Sequence, residues 1–468
     1  MEPTVYLVSD LHLGPGRDAA TGKWNALEDF QVDEAFCGFL DAISATDAPI
    51  ELIIAGDFID YPQVLPELGL TSPVDHLGTT EEESLERTRV VLGQRPAIAS
   101  GHPAVFERLR RFMSDGHSIT ILAGNHDIDI LWPRVWALLF DTIYPPGSSG
   151  IMQRQSFSYI VGRGPRGRVY IEHGNEHDPT SRFGDQMSAP FASDPDGVLR
   201  LKRCWGTLFL DKVYNQLERE RWFIDNVKPI LRVIQLGLRN DFPFTATALA
   251  LLVKFLLSNG LPPSALSAGV LAAEGQAWPK HLRASEAVVD AVADEELRRY
   301  LERRMADPAF RAAFDEQVQG FSETEWQAIS VGAAHQPTLD EAVAKTAGVG
   351  VEGSAVLGLF GGADEYQQAA RAILERDPSI STVVMGHTHA AIDGLVAPFY
   401  LSGQRTGYYF NSGTWTPHLR ERPDYTYSWQ EIADPANYTS LLTYLRLVPD
   451  QQGAYRAELH NWSAEWSG

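Results

Sequence analysis

Cysteine is scarce in this sequence, which has 468 residues and only two cysteines, Cys37 and Cys204. Two thiols are too few for a disulfide framework or for a structural zinc site built from thiolates. Such low usage is typical of proteins in a reducing compartment. The amino terminus has no basic stretch followed by an apolar one, so it predicts no export signal, and we expect a cytoplasmic protein.

Basic residues are outnumbered by acidic ones. The sequence has 39 Lys and Arg against 61 Asp and Glu, which gives a formal net charge of −22. Proteins that bind nucleic acids draw most of their affinity from basic groups on phosphates, so this balance argues against a nucleic-acid partner. The same charge disfavours electrostatic adhesion to anionic lipid.

No long hydrophobic run is present. The most apolar window, residues 242–257, is interrupted by Pro243 and Lys254, and it is shorter than the ~20 residues needed to cross a bilayer. We interpret it as a helix packed inside the protein, with contact to a membrane surface as the alternative. The sequence therefore predicts no stable membrane insertion.

The overall composition is that of a globular protein. Hydrophobic residues make up 44% and charged residues 21%, and the length is about three times a typical domain of ~150 residues. Short apolar runs, each ending at a polar cluster, predict strands of a layered α/β fold. These runs are residues 5–8, 51–55, 118–123, the hairpin 155–161 with 168–172, and 381–385.

The strand pattern stops between residues 183 and 368. That stretch is rich in helix formers and aromatic residues, so we predict a large, mainly helical insertion there, with a lid over the site as one possible role. The core then consists of residues 1–182 and 369–468. Smaller predictions are a helix at 103–115, a surface loop at 62–86, and closing strands at 440–448 and 454–462.

Five polar clusters follow the predicted strands. In an extended segment, residues i and i+2 point the same way, so members of a pair such as Asp10 and His12 can face one point. The clusters supply carboxylate, amide and imidazole donors, a mixture that suits Mn²⁺, Fe or Zn²⁺. They are Asp10-Leu-His12, Gly56-Asp57-Phe-Ile-Asp60, Gly124-Asn125-His126-Asp127, His173-Gly174 and Gly386-His387-Thr-His389.

In this order the five clusters resemble the signature blocks of the calcineurin-like metallophosphoesterase family. The resemblance covers about residues 5–178 and 380–416. It implies a four-layer α/β/β/α sandwich and an enzyme, a metal-dependent phosphoric ester hydrolase. By that similarity one metal ion would be held by Asp10, His12, Asp57 and His389, and a second by Asp57, Asn125, His173 and His387.

The same resemblance assigns the neighbouring residues. It implies that His126 contacts the phosphoryl oxygen or protonates the leaving group, and that Asp60 orients His126. Asp127 is interpreted as a hydrogen-bond acceptor that fixes its loop. Two divalent ions, Mn²⁺ first and Fe or Zn²⁺ as alternatives, would provide the attacking hydroxide at neutral pH.

The substrate is predicted only as a class. Protein phosphatases of this superfamily carry Arg-Gly after the second block, where this sequence has Tyr61-Pro62, so a phosphoprotein is disfavoured. A small phosphodiester, phosphomonoester or diphosphate-linked molecule remains. His177 and Arg182 are candidate substrate contacts, with loop closure as the alternative.

Two other function classes stay open: an inactive metal-binding scaffold of the same fold, and a membrane-associated lipid diphosphate hydrolase. The bacterial UDP-diacylglucosamine diphosphatases are similar in their opening block and helical insertion, but they carry Arg where His126 stands. His102 and His117 lie outside the blocks and are predicted to be surface residues. The oligomeric state stays open.

Overall fold

The computed structural model of this chain describes residues 2–46, 48–65, 76–184, 189–224, 363–420 and 427–465, with scattered positions between 237 and 311. The chain is a mixed α/β protein that divides into two compact units. The first unit comprises Met1–Asp211, Ala363–Arg420 and Tyr438–Gly468, and the second comprises Lys212–Gly362 and Glu421–Asn437.

The first unit contains a six-stranded and a five-stranded mixed sheet. The six-stranded sheet has the order β15-β14-β1-β2-β3-β4, and the five-stranded sheet has the order β10-β11-β9-β6-β5. The strands are β1 (Thr4–Val8), β2 (Ile50–Ala55), β3 (Ser118–Leu122), β4 (Met152–Gln155), β5 (Ser158–Val161), β6 (Arg168–Glu172), β7 (Phe191–Ser193), β8 (Leu199–Leu201), β9 (Ile380–Met385), β10 (Phe399–Leu401), β11 (Arg405–Asn411), β12 (His418–Leu419), β13 (Tyr438–Thr439), β14 (Thr443–Pro449) and β15 (Tyr455–Asn461).

Helices flank these strands in the chain. They are α1 (Asp33–Ser44), α2 (Glu81–Val91), α3 (Pro103–Ser114), α4 (Pro133–Ile143), α5 (Trp205–Phe209), α6 (Asn215–Glu218), α7 (Ala363–Arg376), α8 (Trp429–Ala433) and α9 (Trp462–Glu465). A π-helix spans Leu210–Tyr214, and short 3-10 turns follow several strands, including Ile128–Leu131 and Asn175–His177. No helix in the described part of the chain is long and apolar enough to span a membrane.

The strand and helix predictions for the core are confirmed in β1, β2, β3, β6, β9 and α3, but two boundaries were wrong. Residue 155 belongs to β4, which pairs with β3 in the six-stranded sheet, so the hairpin itself is β5 with β6. Part of the predicted loop 62–86 is helical, because Thr80 and Glu83 form a reciprocal cap that starts α2 at Glu81.

The core separates into apolar clusters on the two faces of each sheet. One cluster combines Val5 and Ile53 of the six-stranded sheet with Ile171 and Val384 of the five-stranded sheet. Alternate residues of the same strands, such as Ile54, instead pack with α1, α3 and α4. Because side chains alternate along a strand, a continuous apolar run such as β2 serves both faces.

The outer face of the five-stranded sheet has its own cluster. Tyr366, Ala370 and Leu374 of α7 pack there against Val383 and Tyr409 of the sheet. Apolar side chains of both sheets therefore share one cluster, and each sheet also packs against helices. This packing fixes the positions of the loops at the strand ends.

The prediction that His102 and His117 are surface residues was wrong. Both are buried, with exposed fractions of 0% and 2%. The His102 ring lies between two carboxylates, with Nε2 3.1 Å from Glu28 and Nδ1 2.7 Å from Asp33. Burial lowers the pKa of His102, but Glu28 and Asp33 outweigh this effect and raise it to about 10.

This arrangement predicts that the stability of the protein depends on pH through His102. Its pKa is raised above the unfolded value, so its contribution is fully present below pH ~6.5 and is lost as the pH rises through about 10. His102→Gln should lower the free energy of unfolding by about 3 kcal/mol at pH 7, since it removes the cation that lies between Glu28 and Asp33. Denaturant unfolding at pH 7 and 10.5 checks this prediction. The difference in the free energy of unfolding between variant and parent should be smaller at pH 10.5, and an equal difference at both pH values would contradict it.

Most of the predicted insertion at 183–368 lies outside the described residues, as does most of the window 242–257. Within the second unit, α6 and α8 are described. There Arg221 forms an ion pair with Asp241, and its Nε lies 2.8 Å from the carboxylate. Phe223 packs edge-on against Trp429, with ring centroids 5.4 Å apart.

Candidate metal centre

The predicted ligands follow the carboxyl ends of five strands. β1, β2 and β3 are parallel neighbours, and Asp10, Asp57 and Asn125 stand just after them. β6 and β9 are parallel neighbours in the other sheet, and His173 and His387 follow these. Parallel strands end at a common edge, so loops far apart in sequence meet there.

Hydrogen bonds tie these loops to one another. The Asp10 N–H donates to the Gly56 carbonyl at 3.1 Å, and the His12 N–H donates to the Asp57 carbonyl at 2.9 Å. The His387 N–H donates to the Asp10 carboxylate at 3.0 Å, which links the two sheets at this edge. The site is thus fixed by the backbone as well as by its side chains.

The first group of donors consists of Asp10, His12 and His389. The two Nε2 atoms lie 3.2 Å apart, and Asp10 Oδ1 lies 3.4 Å from His389 Nε2 and 4.0 Å from His12 Nε2. Asp10 and His12 are buried, whereas the His389 side chain is 32% exposed. Three donors at this spacing fit one divalent cation.

The second group consists of Asp57, His173 and His387, whose donor atoms lie within 4.8 Å of one another. His173 Nδ1 donates to the Ala55 carbonyl at 3.0 Å, so Nε2 is the nitrogen that carries the lone pair when the ring is neutral. That Nε2 lies 3.1 Å from Asp57 Oδ2 and forms no hydrogen bond of acceptable geometry. A nitrogen held in this tautomer is ready to bind a cation.

Asn125 and Asp57 complete the fit to a pair of cations. The buried Asn125 Oδ1 has no hydrogen-bond partner among the described residues, which is unusual for a buried polar atom. Asp57 Oδ2 lies 3.1 Å from His173 Nε2 and 3.7 Å from His12 Nε2, so one carboxylate oxygen faces both groups of donors. The donor set therefore fits two cations that share Asp57.

Backbone strain is concentrated at this edge. In the described part of the chain, eight non-glycine residues have positive φ, and five of these are predicted ligands. Such a conformation costs ~1–3 kcal/mol per residue and is kept where the surrounding structure imposes it. The five are Asp10 (51°), His12 (51°), Asp57 (50°), His387 (67°) and His389 (60°).

The glycines of the blocks make room for the ligands. A Cβ on Gly124 would overlap the Asp57 carboxylate, and one on Gly386 would overlap Ser9 and Asp10. Gly56 has a φ of 90°, and a Cβ there would meet the His173 ring. A side chain at any of these positions would displace a donor.

Asp60 lies between two imidazoles beside the donor groups. Its Oδ2 is 2.8 Å from His12 Nδ1 and 2.9 Å from His126 Nδ1. Burial raises the pKa of Asp60, but His126 and His12 outweigh this effect and lower it to about 2. Asp60 is therefore an ionised carboxylate that orients both rings. Since it contacts Nδ1 of His126, the other ring nitrogen, Nε2, is the one that points away from Asp60.

His126 lies at the edge of the donor set, with 20% of its side chain exposed. Its ring packs edge-on against that of His12, with centroids 4.7 Å apart. Its backbone N–H donates to the Asp57 carboxylate at 2.9 Å. Among the protein groups alone, burial lowers the pKa of His126, while Asp60 and Asp57 raise it to about 10. His126, His12 and Asp57 also form a third group with metal-ligand spacing.

Supporting residues lie both inside and outside the blocks. Asp127 of the third block accepts hydrogen bonds from the N–H groups of Phe58 at 2.8 Å and Gly124 at 2.5 Å, which fixes its loop. Asn411 Nδ2 donates to the Gly386 carbonyl at 2.7 Å. The Ser9 hydroxyl donates to the Asp10 carboxylate.

Asp178 holds one predicted ligand in place. Its Oδ2 lies 3.1 Å from His387 Nε2, which leaves His387 Nδ1 as the nitrogen for a cation. Its remaining hydrogen bonds come from Thr180 and Ser181 at 2.8 and 2.9 Å, so the carboxylate is buried and fixed. Asp178 therefore sets the tautomer and the direction of His387.

We expect Asp178→Asn to weaken binding of one metal ion roughly 10–100-fold while the other stays bound, because the amide no longer favours the Nε2–H tautomer. Calorimetric titration with Mn²⁺ measures both affinities. Asp115→Asn, at an exposed position after α3, is the matched control. Equal affinities in the variant and the parent would show that Asp178 does not orient the ligand.

Neither predicted substrate contact, His177 or Arg182, is a member of the groups of metal donors. His177 Nε2 is 2.6 Å from the buried carboxylate of Glu172, which also accepts a hydrogen bond from Tyr170 at 2.9 Å. Arg182 is exposed, and its backbone N–H donates to the Asp178 carbonyl at 2.9 Å. Among the described residues no side-chain contact joins Arg182 to the donor groups.

Neither a scan against models of known protein families nor a search of the curated proteins finds a match for this chain. The function is therefore inferred from the donor geometry and from the motif resemblance.

Proposed function

We propose that this chain is a dinuclear metal-dependent phosphoesterase of the calcineurin-like family. The observation that carries the proposal is the position of Asp57, one oxygen of which faces two groups of buried donors. A shared carboxylate is how proteins keep two cations ~3.5–4 Å apart despite their repulsion. Mixed oxygen and nitrogen donors without sulfur favour Mn²⁺, with Fe or Zn²⁺ as alternatives.

In this proposal the ligands divide between the cations as the motifs imply. Asp10, His12 and His389 hold one ion, and Asn125, His173 and His387 hold the other, with Asp57 common to both. When bound, the cations would supply a water of lowered pKa as nucleophile and positive charge for the phosphoryl oxygens.

The chain's own residues would then complete the reaction. Asp60 holds His126 through Nδ1, so Nε2 is the nitrogen that can give a proton to the departing oxygen. The buried carboxylates and backbone hydrogen bonds keep the ligands fixed throughout. No serine or cysteine nucleophile is required, and both cysteines have a raised pKa because of burial, to about 11.

The four-layer α/β/β/α sandwich belongs to the same proposal. Its support is the apolar cluster that combines side chains of both sheets, together with the outer clusters formed by α1, α3 and α4 and by α7. In such a sandwich the carboxyl ends of the central strands of both sheets meet at one edge. The donor groups stand at that edge.

The proposal is tested by screening the Mn²⁺-loaded protein against p-nitrophenyl phosphate, bis(p-nitrophenyl) phosphate and diphosphate compounds. We expect hydrolysis of at least one class, its loss on chelation and its return when Mn²⁺ is added. Metal binding without turnover of any compound would instead identify an inactive scaffold. Pelleting with liposomes tests the membrane-associated alternative.

A further inference from the structure

Residues 411–416 begin at the end of β11 and contact the candidate metal centre, although they belong to none of the five polar clusters. Asn411 donates from Nδ2 to the Gly386 carbonyl at 2.7 Å and to the Thr388 hydroxyl at 3.1 Å. Both acceptors belong to the fifth cluster, which carries two predicted ligands. This segment therefore holds the loop of those ligands in place.

The same segment holds the backbone of Asp10. The Thr414 hydroxyl donates to the Asp10 carbonyl at 2.8 Å, and the Trp415 N–H donates to the same carbonyl at 3.3 Å. Asp10 has a φ of 51°, so these two bonds help to keep a strained backbone conformation. The carboxylate of Asp10 has separate partners.

Two serines contact the Asp10 carboxylate in series, and we call Ser9 and Ser412 the serine pair. Ser9 Oγ donates to Asp10 Oδ2, and Ser412 Oγ lies 2.6 Å from Ser9 Oγ. Ser9, Asp10 and Ser412 are buried, with exposed fractions of 1%, 0% and 1%. Hydrogen bonds are stronger in such a buried place than at the surface.

The direction of these hydrogen bonds follows from the number of protons. A hydroxyl has one proton and an ionised carboxylate only accepts, so the Ser9 proton lies toward Asp10. Ser9 Oγ then accepts the Ser412 proton. The other acceptors are farther away, since the Gly413 carbonyl is 3.3 Å from Ser9 Oγ and the Met385 carbonyl is 3.4 Å from Ser412 Oγ. Donation therefore runs from Ser412 through Ser9 to Asp10.

The serine pair leaves Oδ1 as the oxygen of Asp10 that faces the first group of donors. The His387 N–H is 3.0 Å from both carboxylate oxygens, and Oδ2 also accepts the Ser9 proton. Oδ1 lies 3.4 Å from His389 Nε2 and 4.0 Å from His12 Nε2. A hydrogen bond on Oδ2 opposes rotation of the carboxylate, so Oδ1 keeps this direction.

We propose that Ser412 is a positioning residue for the first metal ion, the one held by Asp10, His12 and His389, and that it acts through Ser9. The inference rests on the proposed function, because it concerns a ligand of the proposed centre. Partners that hydrogen-bond a metal ligand typically contribute roughly 10–100-fold to metal affinity. The serine pair should therefore affect the affinity for the first ion and not that for the second.

The test is a calorimetric titration of the metal-free full chain with Mn²⁺. His389→Ala removes a ligand of the first ion only, so it identifies the binding event of that ion. Ser9→Ala should weaken the first ion roughly 10–100-fold. Ser412→Ala should weaken it about fivefold, the effect of one neutral hydrogen bond. Ser402→Ala, at an exposed serine outside the site, is the matched control and should change neither affinity.

The double variant distinguishes action through Ser9 from simple packing. Because Ser412 acts through Ser9, adding Ser412→Ala to Ser9→Ala should cause no further loss of affinity. A further fivefold loss, an unchanged first affinity in either single variant, or equal weakening of both ions would overturn the inference. Melting curves without metal check that each variant is folded. If Ser9→Ala does not fold, the effect of Ser412→Ala on the first ion relative to the second decides.

The titration also separates this inference from the proposed function. If the parent and the serine variants bind two ions equally well, the inference fails and the proposed function stands. If the parent binds two ions but hydrolyses none of the screened compounds, the proposed function fails, and the titration still decides the role of the serine pair. A parent chain that binds no ion would contradict both.

Discussion

Replacing Asp57 with asparagine should remove bound metal and reduce turnover by at least about a thousandfold. An amide has no negative charge to offset two cations, and only one of its terminal atoms is an oxygen. Losing several kcal/mol of charge stabilisation in the transition state corresponds to a loss of this size. Metal content by elemental analysis and kcat at saturating Mn²⁺ are the measurements.

Asp115→Asn makes the same chemical change at an exposed position outside the site and should leave both values unchanged. To separate an effect on the metal centre from an effect on the fold, the far-UV circular dichroism and melting curve of Asp57→Asn are compared with those of the parent. A folded Asp57→Asn protein that retained two metal ions and full turnover would contradict the shared role of this carboxylate.

His126→Ala should keep the metals but lose activity according to the leaving group. A general acid contributes about 10²–10⁴-fold to the rate when the departing oxygen is basic. A nitrophenolate departs without a proton, so its ester should lose much less. The ratio of kcat/KM between an alkyl and a nitrophenyl ester, measured in the parent and the variant, isolates this role from general damage.

The structure provides a second outcome for this variant, because His126 also has metal-ligand spacing with His12 and Asp57. If His126→Ala loses a metal ion and all esters slow equally, His126 is a ligand and not an acid. His460→Ala, which removes a partly exposed imidazole from β15, is the matched control and should change neither the metal content nor the rates of ester hydrolysis. Full rates on alkyl esters would exclude the acid role.

The sequence predicts the central strands and their polar ends well, for a physical reason. A strand buried on both faces, such as β2, must be apolar throughout, and that run is visible without a structure. The ends of parallel neighbours then coincide, so Asp10, Asp57 and Asn125 are expected to be near one another. Convergence of the two sheets is not readable in this way, and only the motif resemblance implies it.

Local backbone geometry and contacts between residues far apart in the chain could not be predicted from the sequence. Positive φ at His387 or Asp57 follows from the surrounding hydrogen bonds, not from residue type. His102 gave no sign of burial, since Glu28, which balances its charge, lies 74 residues away.

Metal stoichiometry tests the central claim most directly. The purified chain, loaded with Mn²⁺ and freed of excess, should contain two ions per chain by elemental analysis, and Asp57→Asn should contain fewer. Titration of the metal-free protein should show two binding events. A chain that binds no divalent ion, and whose melting temperature does not change when Mn²⁺, Fe²⁺ or Zn²⁺ is added, would contradict the account.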